Sequence, residues 1–388
     1  MEFTANWSYP TAVRFGVGRI AEIADAARAA GMTRPLLVTD AGLATMAITR
    51  RTLRLMADAG MAVEVFAEVR PNPVEANLSA GIEVYREGGH DGVIAFGGGS
   101  ALDVGKLIAF MAGQVLPVWD FEDVGDNWTR ADAGAIAPIV AVPTTAGTGS
   151  EVGRAGVITH EASHTKKVIF HPRMMPAVVI CDPELTVGMP APITAGTGMD
   201  ALAHALEAYC APGFHPMAEG IAVEGIRLAS GALARAVEDG ADITARAHMM
   251  AAAAMGATAF QKGLGAIHAL SHPVGALYDT HHGLTNAVFM PYVLAFNRPA
   301  IEGRIARLAA FIGLAEPGFD GFMQFVLDLR ARIGVPHTLA GLGVDGARAG
   351  EIADMAVIDP TAPGNPVPLT VEAARRIFAS ALAGRDLK

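Results

Sequence analysis

The sequence predicts a two-part α/β protein. An α/β domain on a mostly parallel sheet covers residues 1–185, and an all-helical domain covers residues 186–388. Three observations carry this reading. Short apolar runs alternate with helix-periodic segments through the first half, the pattern of a sheet covered by helices on both faces. After about residue 186 strand-like runs stop, and the segments become Ala-rich and helix-periodic. Between the two parts, "CDPELTVGMPAP" clusters prolines, as a boundary does. With 388 residues, 52% hydrophobic and 18% charged, the chain can bury sizeable cores, which excludes a disordered protein.

The elements follow in order. "PLLVTD" reads as a short buried strand, and "ATMAITRRTLRLMADAG" as a helix with a glycine stop. "AVEVFAEV" is a second strand and "EANLSAGIEVYREGG" a second helix. "DGVIAFGGGS" is a third strand running into glycines, followed by the helix "ALDVGKLIAFMAG". "APIVAVPTT" and "AVVICDPE" are later strands, and "RAGVITH" with "KKVIFHP" reads as a hairpin inserted before the last of them. Beyond the boundary, "PITAGTGMDALAHALEAYCAP", "HPMAEGIAVEGIRLASGALARAVEDG", "ITARAHMMAAAAMGATAFQKG", "FDGFMQFVLDLRARIG" and "TVEAARRIFASALAG" are helical.

Composition narrows the function classes. A formal net charge of −10 argues against a nucleic-acid or anionic-membrane partner. Two cysteines, Cys181 and Cys210, make neither a disulfide framework nor a zinc-finger spacing, and fit a reducing cytoplasm. "MEFTANWSYP" lacks the basic and apolar regions of a secretory leader. "MMAAAAMGATAF" is too short to span a bilayer and reads as a buried helix.

Three places carry chemistry. In "VIAFGGGSALDVGKLIAF" an apolar strand ends in Gly97, Gly98 and Gly99 before a helix, with Ser100 as the expected N-cap and Asp103 three residues on, as in a capping box. Free amides at such a helix start suit a phosphate; an ordinary strand–turn–helix connection is the alternative. The pattern is not G-x-G-x-x-G. "VPTTAGTGSE" (142–151) is a second loop, dense in hydroxyls and glycine, after another apolar strand. Ligands of open α/β sheets bind beyond the carboxyl ends of strands, so two such loops reinforce each other. Asp40 ends "LLVTD", where an acid either accepts from a ribose diol or caps a helix.

The third place begins at "GTGMDALAHALEAY". Asp200 and His204 are four apart on a helix and share a face that is otherwise apolar. A buried carboxylate and imidazole need a partner, and a divalent metal or a mutual hydrogen bond would serve. "IHALSHPVGALYDTHHGLTNA" (267–287) holds four of the 12 histidines: His268, His272, His281 and His282. Pro273 disfavours helical geometry at His272, so His268 and His272 need not point the same way. His282 stands at a turn before the next helix. Residue chemistry alone does not choose among the four.

At this point the chain resembles a known family, the iron-dependent (group III) alcohol dehydrogenases. The resemblance runs from "YPTAVRFGVG" through "PNP", "GGGSALDVGK", "PTTAGTGSE", "TGMDALAHALEAY" and "GLGAIHALSHPVGA" to "HHGLTNA", in the family's order. It implies a Rossmann-like dinucleotide-binding domain over 1–185 and an all-α metal-binding and substrate domain over 186–388, an architecture like that of dehydroquinate synthase. It implies that Asp200, His204, His268 and His282 bind the metal. His272 would lie by the nicotinamide and substrate as the catalytic proton relay, and His281 would have no metal role. For the cofactor it implies Asp40, Asn72, Gly97, Gly98, Gly99, Ser100, Asp103, Thr144, Thr145, Ser150 and Lys166, with Lys167 the adjacent alternative. One carboxylate and three imidazoles suit Fe(II), and also Zn or Mn; the resemblance favours Fe(II). Asp40 would repel a 2′-phosphate and so favours NAD over NADP. The expected enzyme is an NAD-dependent alcohol dehydrogenase or aldehyde reductase for a small primary alcohol or aldehyde. It would be at least a homodimer. A dehydroquinate synthase-like lyase that recycles NAD is the alternative. Phe260 and the acidic, aromatic loop "WDFEDVGDNW" (119–128) are expected to line the substrate mouth and disfavour anions.

Overall fold

The structure, a computed structural model, describes residues 9–163 and 165–385. The first eight residues, on which the expectation of no leader partly rests, lie outside the described residues. The described residues fall into two compact units, one of residues 9–145 with 149–187, the other of residues 146–148 with 188–385.

The first unit holds the strands β1 (Ala12–Phe15), β2 (Pro35–Asp40), β3 (Glu64–Val69), β4 (Gly92–Gly97), β5 (Ile139–Pro143), β6 (Ala155–His160), β7 (Thr165–Phe170) and β8 (Val178–Cys181). Its helices are α1 (Ile23–Ala29), α2 (Ala41–Ala44), α3 (Ala47–Asp58), α4 (Glu75–Glu87) and α5 (Gly99–Met111). Six strands form a sheet in the order β1-β8-β5-β4-β2-β3, every neighbouring pair parallel. The central strands β4, β5 and β8 are buried along their whole length, as a doubly covered sheet requires. Alternate residues supply opposite faces. Leu36, Val38, Val93 and Ile139 pack with Leu78 of α4 and Leu107 and Phe110 of α5. Leu37, Ile94, Phe96 and Val140 pack with Ile23 and Ala26 of α1 and Met56 of α3.

Two features escape sequence periodicity. Strand β1 lies at the sheet edge and is mostly exposed, so no burial pattern marks it. It forms by pairing with β8, Ala12 opposite Val178 through Phe15 opposite Cys181. The strand order is the second feature: β3 lies on one side of β2, and β4 and β5 on the other. The connections therefore reverse direction between β2 and β4, which brings Asp40, Gly97 and Pro143 to neighbouring strand ends. Strands β6 and β7 form the expected antiparallel hairpin.

The second unit contains α6 (Ala191–Cys210), α7 (Pro216–Glu238), α8 (Ile243–Ala259), α9 (Ala266–Tyr278), α10 (His282–Phe311), α11 (Phe319–Arg332), α12 (Ala349–Val357) and α13 (Val371–Ala383). No described strand follows Cys181. No described helix is long and apolar enough to cross a membrane. Helix α6 is buried almost all round, so its small residues serve close helix approach. Gly283 of α10 shows this most sharply. A Cβ there would stand 2.1 Å from the Gly196 carbonyl of α6 and 3.1 Å from Asp200 Cβ. Its absence lets α10 touch α6 beside Asp200.

Helix α9 corrects one expectation. It runs through Pro273 without ending at His272. An interior proline costs about 3 kcal/mol in a helix. Fully burying Ile267, Leu270 and Val274 contributes about 1.5–3 kcal/mol each, so burial wins.

Candidate active site

Helix α6 carries Asp200 and His204 one turn apart, α9 supplies His268, and α10 opens with His282. Asp200, His204 and His268 are buried, and each offers a donor atom within 4.8 Å of the others. Asp200 Oδ1 lies 3.8 Å from His204 Nε2, 3.7 Å from His268 Nε2 and 3.5 Å from His282 Nε2. Donors at about 2.1–2.2 Å from a tetrahedral metal are about 3.4–3.6 Å apart, so the spacing fits a divalent ion.

The electrostatics agree. Burial pushes the Asp200 carboxyl up, but His204, His282 and His268 outweigh it and hold the group ionised. Burial pushes the His204 imidazole down to about 4, only partly opposed by Asp200. Burial also disfavours charge on His268, yet Glu207 and Asp200 carry it up to about 9. Two buried carboxylates thus converge on His268 and favour positive charge there, whereas burial keeps His204 neutral.

The supporting residues were not read from the sequence. Glu207 Oε2 lies 2.6 Å from His268 Nδ1, and its Oε1 accepts from the Ile267 amide at 2.7 Å. With Nδ1 donating to Glu207, the His268 ring is held with Nε2 directed toward Asp200. Glu207 lies seven residues after Asp200 on the same helical face, a signal the sequence did contain. Asn286 of α10 donates from Nδ2 to Asp200 Oδ1 at 2.8 Å. Asp359, 87 positions from His272, accepts from His272 Nδ1 at 2.8 Å, and no local pattern could announce it. Its other oxygen accepts from the Thr361 amide and hydroxyl.

His272 is partly exposed and stacks on His282 with ring centres 5.4 Å apart. His268 and His272 stand 5.8 Å apart, edge to face, on one side of the continuous helix α9. His281 is the N-cap of α10, its ring accepting from the Leu284 amide. Phe260 packs edge-on against His204 at 5.2 Å.

Of the positions that the resemblance assigns to the cofactor, Asp40, Gly97–Gly99, Thr144 and Thr145 lie at or just beyond the carboxyl ends of β2, β4 and β5. Asp40 caps α2 by accepting from the Leu43 amide at 2.8 Å. Asn72 sits between β3 and α4 with φ 49. Helix α5 starts at Gly99 with Gly98 as its N-cap, so Ser100 lies inside the first turn and is not the cap. A Cβ on Gly98 would stand 3.3 Å from Thr145 Cγ2, a tight contact that brings the glycine backbone and Thr145 together. Thr144 is buried and donates its amide to the Gly97 carbonyl. Asp103 is no capping-box partner. It accepts from Ser150 Oγ at 2.5 Å and from the Val157 amide at 3.2 Å, tying α5 to the second loop and the hairpin. Lys166 and Lys167 alternate along β7, and Lys167 pairs with Glu122 at 2.5 Å. The loop 119–128 packs on the hairpin: Trp119 lies edge-on to His160, and Trp128 edge-on to Phe170. Asp120 and Glu122 are matched by Arg130 and Lys167, so two of its acids do not present free charge to an anion.

Beneath these loops lies a buried ion cluster. The Lys106 ammonium reaches the carbonyls of Ser150 and Ala155 and lies 3.3 Å from Asp103 Oδ1. Burial pushes the Glu151 carboxyl up from 4.5 to about 7, only partly opposed by Lys106. A raised carboxyl binds its proton in the folded state first. Stability is therefore full below 4.5 and falls as pH rises to about 7. E151Q is expected to be more stable than the parent by about 3 kcal/mol at pH 8 and by less than about 1 kcal/mol at pH 5. Urea unfolding at the two pH values checks this, and a gain independent of pH would refute it.

Comparison with known proteins agrees with the geometry. Residues 10–183 match the family model of iron-containing alcohol dehydrogenases, and residues 194–382 match the model of that family's C-terminal part. A 4-hydroxybutyrate dehydrogenase of Cupriavidus necator is 40% identical over 380 residues, spanning 95% of this chain and 98% of the relative. A solved 1,3-propanediol oxidoreductase superposes with a TM-score of 0.92 at 34% identity, covering 97% of this chain and 100% of that one. A sulfoacetaldehyde reductase from Bifidobacterium kashiwanohense, solved in complex with NAD+, gives a TM-score of 0.89 at 30% identity, covering 99% of this chain and 100% of that one. The chain belongs to the iron-containing alcohol dehydrogenase family and is an oxidoreductase acting on CH–OH groups.

Proposed function

We propose that this chain is an NAD-dependent dehydrogenase of a small primary alcohol, or reductase of its aldehyde, with a divalent metal, Fe(II), held by Asp200, His204, His268 and His282. The observation that carries the reading is the spacing of three imidazole nitrogens around one Asp200 oxygen, at 3.5–3.8 Å. The family as a whole supports a divalent metal with NAD(P). For NAD in particular, the support is Asp40 at the end of β2 and the NAD+ complex of the Bifidobacterium relative. For a terminal hydroxyl, the support is that the relatives are named for 4-hydroxybutyrate and 1,3-propanediol. Since one of those is an anion, and two acids of loop 119–128 are paired, anionic hydroxy acids belong in the substrate search.

A metal held by these residues supplies Lewis-acid polarisation of the substrate oxygen, and a nicotinamide supplies the hydride acceptor or donor. The remaining work falls to the chain. Glu207 fixes the tautomer and aim of His268 through Nδ1. Asp359 accepts the Nδ1 proton of His272, which leaves Nε2 as the atom that takes up or returns the hydroxyl proton. Asp103 ties the glycine loop to the loop that bears Ser150, so both approach a bound diphosphate as one rigid surface.

The test is NADH formation by chelator-stripped protein given NAD and a panel of alcohols and ω-hydroxy acids, with Fe(II) or Zn(II) returned anaerobically. Metal-restored NADH accumulation is the expected result. Silence across the panel with metal bound would overturn the reading and favour the lyase alternative.

A further inference from the structure

Asn286 is fully buried on α10, one turn after His282. Its Nδ2 lies 2.8 Å from Asp200 Oδ1 and 3.2 Å from both His268 Nε2 and His282 Nε2. The Asp200 oxygen can only accept, so the amide must turn its nitrogen toward it; the swapped orientation would set a carbonyl against a carboxylate. Its Oδ1 is buried without a hydrogen-bond partner. An unmade buried acceptor costs stability that a leucine of similar size would not incur, so what the amide contributes is its bond to the Asp200 carboxylate. The amide is thus not explained by packing.

We propose that Asn286 is a positioning residue of the metal centre, which holds the Asp200 carboxylate in place and closes one face of the donor set. The inference rests on the metal assignment made above. An amide NH2 donates and has no lone pair to give a cation, so with Nδ2 turned toward these atoms Asn286 stands outside the donor set. A carboxylate oxygen has a lone pair for the amide and another for a cation, so the Asn286 bond to Asp200 persists when a metal binds. The bond selects one rotamer of Asp200 and directs that oxygen to the point where the imidazoles converge. The Asp200, His268 and His282 side is covered by the amide, which leaves the substrate oxygen to approach from another side.

The test uses the full-length chain stripped by chelator, titrated with Zn(II) against a chromophoric chelator. The N286L and N286A variants are compared with the parent, and D200A serves as control. Thermal unfolding of each metal-free protein runs in parallel. The expected result is a 10–100-fold weaker Zn(II) affinity in both variants, with metal-free N286L at least as heat-stable as the parent. An affinity within twofold of the parent would overturn the role of Asn286. So would a loss of affinity that appears only in variants whose metal-free form melts early. If D200A binds Zn(II) as tightly as the parent, the metal assignment itself fails, a result separate from either outcome at Asn286.

Discussion

Replacing Asp200 by alanine is expected to strip the protein of tightly bound metal and to lower kcat/KM for alcohol oxidation at least 1000-fold, about 4 kcal/mol. The reason is the position of one atom. Three imidazole nitrogens lie within 3.8 Å of Asp200 Oδ1, which supplies their shared negative charge. Without it, the proposed donor set would lose its one carboxylate and keep only imidazoles. The side chain is almost fully buried, so D200N is the companion variant that keeps its shape. Metal content by mass spectrometry and turnover after anaerobic metal return are the measurements. Stoichiometric metal in D200A would mean that the ion sits elsewhere.

His272→Ala is expected to keep its metal and lose turnover, with kcat down about 100–1000-fold and KM for the alcohol little changed. His272 is adjacent to the donor set, stacked on His282, but its Nδ1 is committed to Asp359. Removing a proton relay slows the chemical step without emptying the metal site. D359N, which leaves the ring but weakens its anchor, should fall between the parent and His272→Ala. If His272→Ala emerged without metal, His272 would be a ligand and the assignment of His282 would need revision.

The two sites differ in how far a linear reading reaches. Asp200 and His204 announce themselves because four residues make one helical turn, and a polar pair on an apolar helix is chemically conspicuous. Residues 267–287 likewise mark the region of the other proposed donors. The aim of each ring was not legible. Pro273 suggested a break that burial overrides, and the continuous α9 then sets His268 and His272 side by side. Ser100 looked like a cap by residue type, but the chain turns two residues earlier, at Gly98. Glu207 and Asn286 were within reach of the same helical arithmetic, each on the face of a donor already chosen. Asp359 was not, since its link to His272 depends on a loop 87 positions away.

Legible along the chain are the alternation of β and α, the change to an all-helical second part, the two loops after apolar strands and the residue types of a metal site. These follow from local periodicity and side-chain chemistry, which act over a few residues. The tertiary structure alone decided the strand order that reverses between β2 and β4, the edge strand β1 and the meeting of α6, α9 and α10 around Asp200. Those depend on which distant surfaces pack together. Gly283 is the physical example: as a letter it signals flexibility, and in the fold its missing Cβ is the space through which α10 reaches α6.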